Sequence, residues 1–196
     1  MNSLGLFGGS FDPVHHGHLL LARDALEQLR LDCVIFLPAK ISPHKLDRPP
    51  SSAADRVALL EAALRGQEGF ALDTRELRRD GPSFTVETLR EYRREFPETT
   101  LHFLVGDDNL PGLDTWKDSA EIPRLAQIVL LARNPAATNA PIPTSIPVAN
   151  FPVIRRQVEI SSSEIRNRIA QGLSIRYMTP PCVCEEIQKR GLYRDD

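Results

Sequence analysis

Leu4-Gly5-Leu6-Phe7-Gly8-Gly9-Ser10-Phe11-Asp12-Pro13-Val14-His15-His16-Gly17-His18 decides how the whole chain is read. Leu4 to Phe7 is a short apolar run ended by glycines and reads as a first strand. Leu19 to Leu29 places Leu19, Leu20, Ala22, Leu26 and Leu29 at helical spacing and reads as a first helix. Between them, Gly8 and Gly9, followed by Ser10 and Phe11, let backbone N–H groups approach an anion closely. A helix beginning near Gly17 turns its partial positive end toward the same place. The segment is therefore a phosphate site. It contains neither G-x-x-x-x-G-K-[ST] nor G-x-G-x-x-G, which weakens kinase and dehydrogenase readings.

His15 and His18 are three positions apart at the helix start, so both rings can lie on one face and donate N–H bonds to phosphate oxygens. Transfer of a nucleotidyl group to a phosphate nucleophile needs alignment and donors for developing charge more than it needs a strong base. A lone histidine would be read as a cap or a surface residue. Three within four positions, beside paired glycines and after a strand, point to function, with His16 as the bystander.

Outward from this segment, apolar runs alternate with amphipathic stretches. Strands are expected at Cys33 to Leu37, Phe70 to Leu72, Leu101 to Val105 and Gln127 to Ala132. Helices are expected from Ala54 to Leu64, from a Ser83 cap to about Phe96, and from a Ser161 and Glu164 capping box to Ala170, with Gly172 ending the last. Thr179 and Pro180 open a final helix that Gly191 closes. Asn134 to Pro152 holds five of the 16 prolines and reads as a long surface loop. The pattern is that of a three-layer α/β, Rossmann-like domain with a mainly parallel sheet, whose ligands bind beyond the carboxyl ends of the strands.

A chain of 196 residues accommodates one domain, 1–196, with a sizeable core. Lys and Arg number 24 against 26 Asp and Glu, so the net charge of -2 supplies no global field for nucleic acid or an anionic membrane. Arg155, Arg156, Arg166 and Arg168 are too few, and too free of aromatic neighbours, to suggest a nucleic-acid surface. Cys33, Cys182 and Cys184 match no disulfide or metal spacing. With no basic leader and no run of about 18 apolar residues, the expected location is the cytoplasm. Apolar pattern alone assigns no oligomeric state.

Gly8 to His18 carries G-x-F-x-P-x-H-x-G-H and resembles the nucleotidyltransferase superfamily, whose H-x-G-H motif is related to that of class I aminoacyl-tRNA synthetases. Ile160-Ser161-Ser162-Ser163-Glu164-Ile165-Arg166 is similar to its I-S-S-T-x-I-R signature. That resemblance implies ATP bound by Gly8, Gly9, Ser10, Phe11, His15 and His18 on one side, and by Ser162, Ser163 and Arg166 on the triphosphate.

Further stretches resemble the bacterial nicotinate mononucleotide adenylyltransferases over nearly the whole chain. Pro38 to Lys45 looks like the family's P-x-x-x-P-H-K loop, with Asp55-Arg56 following, which makes Lys45 a phosphate contact. Glu76 to Leu89 is similar to E-x-x-R-x-G-P-S-Y-T-x-x-T-L, with Phe84 where tyrosine is common and Thr85 at the pyridine carboxylate. Gly106 to Lys117 resembles G-x-D-x-L-x-x-L-x-x-W-K. There Gly106 faces the ligand, and Asp108 meets ribose or a metal's hydrated shell. Trp116 stacks on the pyridinium ring, and Lys117 favours a carboxylate. Ala132-Arg133 resembles an A-R element near ATP, and Tyr177 to Tyr193 resembles a structural ending.

The implied reaction joins AMP from ATP to nicotinate mononucleotide, with Mg²⁺ accompanying ATP and no protein metal site. His15, His18, Lys45 and Arg166 act as the catalytic groups. A preference for nicotinamide mononucleotide, or a non-catalytic nucleotide sensor, are the competing readings.

Overall fold

A computed structural model describes residues 2–41, 50–133 and 151–194. Its frame is a six-stranded sheet in the order β3-β2-β1-β4-β5-β6. The strands are β1 (Ser3–Gly9), β2 (Cys33–Pro38), β3 (Phe70–Leu72), β4 (Thr100–Gly106), β5 (Gln127–Ala132) and β6 (Val153–Arg155). Every adjacent pair is parallel, so the mainly parallel sheet expected from sequence is wholly parallel. The helices are α1 (His16–Gln28), α2 (Ala53–Leu64), α3 (Arg75–Arg78), α4 (Thr85–Glu95), α5 (Ile122–Leu125), α6 (Ser162–Ala170) and α7 (Pro181–Arg190).

Side chains alternate across the strands and build two cores. Leu4 and Leu6 of β1 join Leu101, Phe103, Ile128 and Leu130 against Val86, Leu89 and Tyr92 of α4. Phe7 joins Val34, Phe36, Leu104 and Val129 against Leu21 and Ala25 of α1, Leu59 and Leu60 of α2, and Val183 and Ile187 of α7. A sheet buried on both faces needs such apolar runs, and the layering follows from them. Among the described residues no helix is long and apolar enough to cross a membrane.

Several expectations need correction. Helix α1 begins at His16, one residue from the start expected near Gly17 and ahead of the apolar stripe at Leu19. Phe84, not Ser83, holds the N-cap position of α4, and it makes no side-chain cap bond. The Ser83 hydroxyl is occupied instead, accepting the Lys40 N–H at 2.9 Å. Asp107–Thr115 is 3-10 helix, and neither it nor α3, α5 and β6 was read from the sequence. Residues 134–150 of the expected loop lie outside the described residues. Ser161 does cap α6, accepting the Glu164 N–H at 3.1 Å. Gly191 follows α7 in the left-handed region at φ 64°.

Candidate active site

In a sheet ordered 3-2-1-4-5-6, the connections diverge between β1 and β4, and a crevice opens at their carboxyl ends. Two cavities occupy it. A larger one of about 820 Å³ lies on the side of α1 and α6, and a smaller one of about 170 Å³ on the side of α4 and the 3-10 segment. Gly8, Gly9, Ser10, Gly106 and Asn109 line both. Two ligands would meet along this seam of small residues at the ends of the two central strands. At Gly106 a Cβ would lie 2.5 Å from Asp108 Oδ1, so any other residue there would displace the Asp108 carboxylate.

The histidines belong to the larger cavity. The His15 and His18 rings stack with centroids 3.7 Å apart, and His18 Nδ1 accepts the His15 backbone N–H at 3.3 Å. With Nδ1 an acceptor, the neutral His18 ring carries its proton on Nε2. His15 is 1 % exposed. Burial, helped by the charges of Arg133 and His16, lowers its pKa from 6.5 to about 3, so the ring is neutral near pH 7. Its Nδ1 is buried without a partner among the described residues. A Cβ on Gly17 would touch that ring at 3.0 Å, which explains the glycine between the histidines.

The loop from Asp12 to His16 is held by residues that lie far away in sequence. Arg166 donates to the Asp12 carbonyl at 2.6 Å, the Ser162 hydroxyl to the Pro13 carbonyl at 2.9 Å, and the Thr179 hydroxyl to the Val14 carbonyl at 2.9 Å. The His16 N–H donates to the Met178 carbonyl at 3.0 Å. Asp12 receives the Tyr193 hydroxyl at 2.7 Å and the Ser51 N–H at 3.2 Å. The signature residues Ser162 and Arg166 thus shape the histidine loop as well as facing the cavity, and Ser162 has committed its proton to that task. Arg166 also donates to Ser163 Oγ at 3.2 Å.

Arg56, expected only as part of a D-R pair, is 1 % exposed. Its guanidinium donates to the carbonyls of Ser10 at 2.9 Å, Ala39 at 2.8 Å and Ser51 at 3.1 Å. These bonds join the loops after β1 and β2 to the entry of α2. The Arg56 clamp was assigned no role from the sequence, because a single arginine carries no sign of burial, while Tyr193 belongs to the ending read as structural and its partner Asp12 was not foreseen.

Of the residues expected to bind ATP, Gly8, Gly9, Ser10, Phe11, His15, His18, Gly106, Asp108, Arg133, Ser162, Ser163 and Arg166 all line the larger cavity. Phe11 is 2 % exposed, and its ring packs on Phe7, Phe36 and His18. Asp108 faces Arg133 at 3.3 Å, and Asp107 accepts the Arg133 N–H at 2.9 Å. Lys45 lies outside the described residues.

Phe84, Thr85, Trp116 and Lys117 line the smaller cavity together with Glu76 and Ser83. Trp116 meets Phe103 edge to face at 6.0 Å, and Lys117 Nζ sits 4.5 Å over the Phe84 ring. Lys117 was expected to favour a ligand carboxylate through its charge or its backbone N–H, and its ammonium is paired with Glu87 Oε1 at 2.6 Å. Glu76 is buried behind this wall and accepts the Thr88 hydroxyl at 2.6 Å. Burial raises its pKa, against bonds from Thr88 and Ser83 and the charge of Arg79.

Residues 6–168 match the cytidylyltransferase-like family. The chain is 41% identical over 207 residues to a probable nicotinate-nucleotide adenylyltransferase of Thermomicrobium roseum, covering 99% of this chain and 92% of the relative. It is 44% identical over 192 residues to one of Thermus thermophilus, covering 97% and 99%. Among solved structures, the nicotinic acid mononucleotide adenylyltransferase of Plasmodium falciparum complexed with NaAD superposes with a TM-score of 0.78 at 16% identity over 98% of each chain. A putative nicotinate-nucleotide adenylyltransferase of Vibrio parahaemolyticus gives 0.71 at 21% identity, covering 100% and 98%.

Proposed function

Because the chain belongs to the cytidylyltransferase-like family, and within it to the nicotinate-nucleotide adenylyltransferases, we propose that it transfers AMP from ATP to nicotinate mononucleotide. The products are nicotinate adenine dinucleotide and pyrophosphate. The observation that carries the reading is the pair of cavities meeting at Gly8, Gly9, Ser10, Gly106 and Asn109. One side has histidines and an arginine suited to a triphosphate. The other has an indole and a helix N-terminus suited to an aromatic ring bearing a carboxylate.

A phosphate oxygen of the mononucleotide attacks the α-phosphorus of ATP across the seam. The new P–O bond forms as the bond from the α-phosphorus to the bridging oxygen breaks, and the electron pair leaves with pyrophosphate. No covalent intermediate with the protein is required. His18 donates from Nε2 to a phosphate oxygen on which charge grows, and neutral His15 fixes the His18 ring by stacking. Arg166 and Lys45 assist on the phosphates, and Thr85, Phe84, Trp116 and Lys117 receive the pyridine ring. Mg²⁺ enters with the nucleotide, as Mg-ATP. A single domain, residues 1–196, does this work in the cytoplasm.

The test is pyrophosphate release from Mg-ATP with nicotinate or nicotinamide mononucleotide as the varied component. A strong preference for the carboxylate supports the assignment. Equal or reversed preference keeps the adenylyl transfer and overturns the substrate, and binding of ATP without release by either mononucleotide makes the protein a nucleotide sensor.

A further inference from the structure

Lys117 is the one cationic side chain among the described residues lining the smaller cavity. Its charge is not free: Glu87 Oε1 lies 2.6 Å from Nζ, with the two side chains 44% and 34% exposed. Glu87 is the third residue of α4, and the first residue of that helix, Thr85, forms part of the cavity wall. A carboxylate entering beside Thr85 and Trp116 would therefore meet the positive end of α4 and a Lys117 ammonium whose charge the Glu87 carboxylate opposes. An uncharged amide in the same place would feel this opposition far less.

We propose that Glu87 is a specificity-determining residue, which holds Lys117 against Phe84 and limits the preference of the site for a carboxylate over an amide. The inference rests on the proposed mononucleotide substrate and deepens it. Glu87 stands behind the cavity wall and acts through Lys117. A carboxylate must compete with Glu87 for the ammonium, so the negative side chain weakens the binding of an acid substrate while leaving the alignment of the phosphate to the larger cavity.

The experiment is steady-state kinetics at saturating Mg-ATP for the wild type and Glu87→Gln, each with nicotinate and with nicotinamide mononucleotide, repeated in a Lys117→Gln background. Because a half-exposed ion pair is weakly coupled, Glu87→Gln should lower KM for the acid relative to the amide by about two- to fivefold. The kcat ratio should not follow. In the Lys117→Gln background, the same substitution should leave the KM ratio where it was. An unchanged ratio in the single variant overturns the proposal, and so does a shift that persists without Lys117. Failure of the wild type to turn over either mononucleotide would instead overturn the substrate reading itself.

Discussion

His15 and His18 lie face to face, with ring planes 30° apart and centroids 3.7 Å apart. Two imidazolium ions at that separation would repel strongly in a cavity wall, and with His15 neutral near pH 7 the pair does not carry two positive charges. The hydrogen bond from the His15 backbone to His18 Nδ1 selects the tautomer that leaves Nε2–H for the ligand.

Replacing His18 with alanine should remove that donor and release the ring stack, while the core on either side of the sheet stays intact. The expected result is a fall in kcat of about 10²- to 10³-fold, the size found when a preorganised donor to a charged transition state is deleted. Circular dichroism of the variant should match the wild type. Near-normal turnover would remove His18 from its assigned role.

The pKa of His15 is lowered from 6.5 to about 3, with burial as the main cause. Between those values the unfolded chain binds a proton that the folded chain refuses. Stability from this group is therefore complete above about pH 6.5 and falls as the pH drops toward about 3. His16 and His102 are lowered too, both by burial, and act in the same direction. The thermal midpoint should decline from pH 7 to pH 5.5, and His15→Asn should make that decline shallower, whatever its midpoint at pH 7. Equal slopes would contradict the assignment.

Arg56 is the largest fully buried polar side chain among the described residues, and it serves three carbonyls in two loops and at a helix entry. Arg56→Met keeps much of the volume but leaves those carbonyls without donors. Destabilisation of about 2–4 kcal/mol is expected in a urea titration. A loss below about 0.5 kcal/mol would show that water replaces the guanidinium at little cost.

Tyr193→Phe removes a single hydroxyl from Asp12. The loss should be about 1 kcal/mol of stability, with a fewfold fall in kcat/KM for ATP as the histidine loop loosens. Stability and kinetics both unchanged would mean that Ser51 and Arg166 hold the loop unaided.

Much of this arrangement is legible from residue order. Gly8, Gly9 and the histidines follow an apolar run, and Ser161 with Glu164 announces a helix whose cap is as expected. The start of α1 was read near Gly17 although the apolar period begins only at Leu19, and the helix begins at His16. Ser83 misled because a hydroxyl before a helix reads as a cap, yet the neighbouring β2 loop presents the Lys40 N–H to it. The three residues of β6 are too short to show alternation. The Glu87 and Lys117 pair spans thirty positions, and Tyr193 reaches Asp12 across 181. Local pattern holds no record of such partners, which only the closed sheet brings together.

The histidine loop is made early in synthesis, whereas the groups that hold it, from Ser162 and Arg166 to Thr179 and Tyr193, are made near the end. A chain lacking residues 162–193 makes none of these bonds. Removal of α7 and Tyr193 would take one bond from Asp12 and two side chains, Val183 and Ile187, from the core, while Ser162, Arg166 and Thr179 would keep their bonds to the loop.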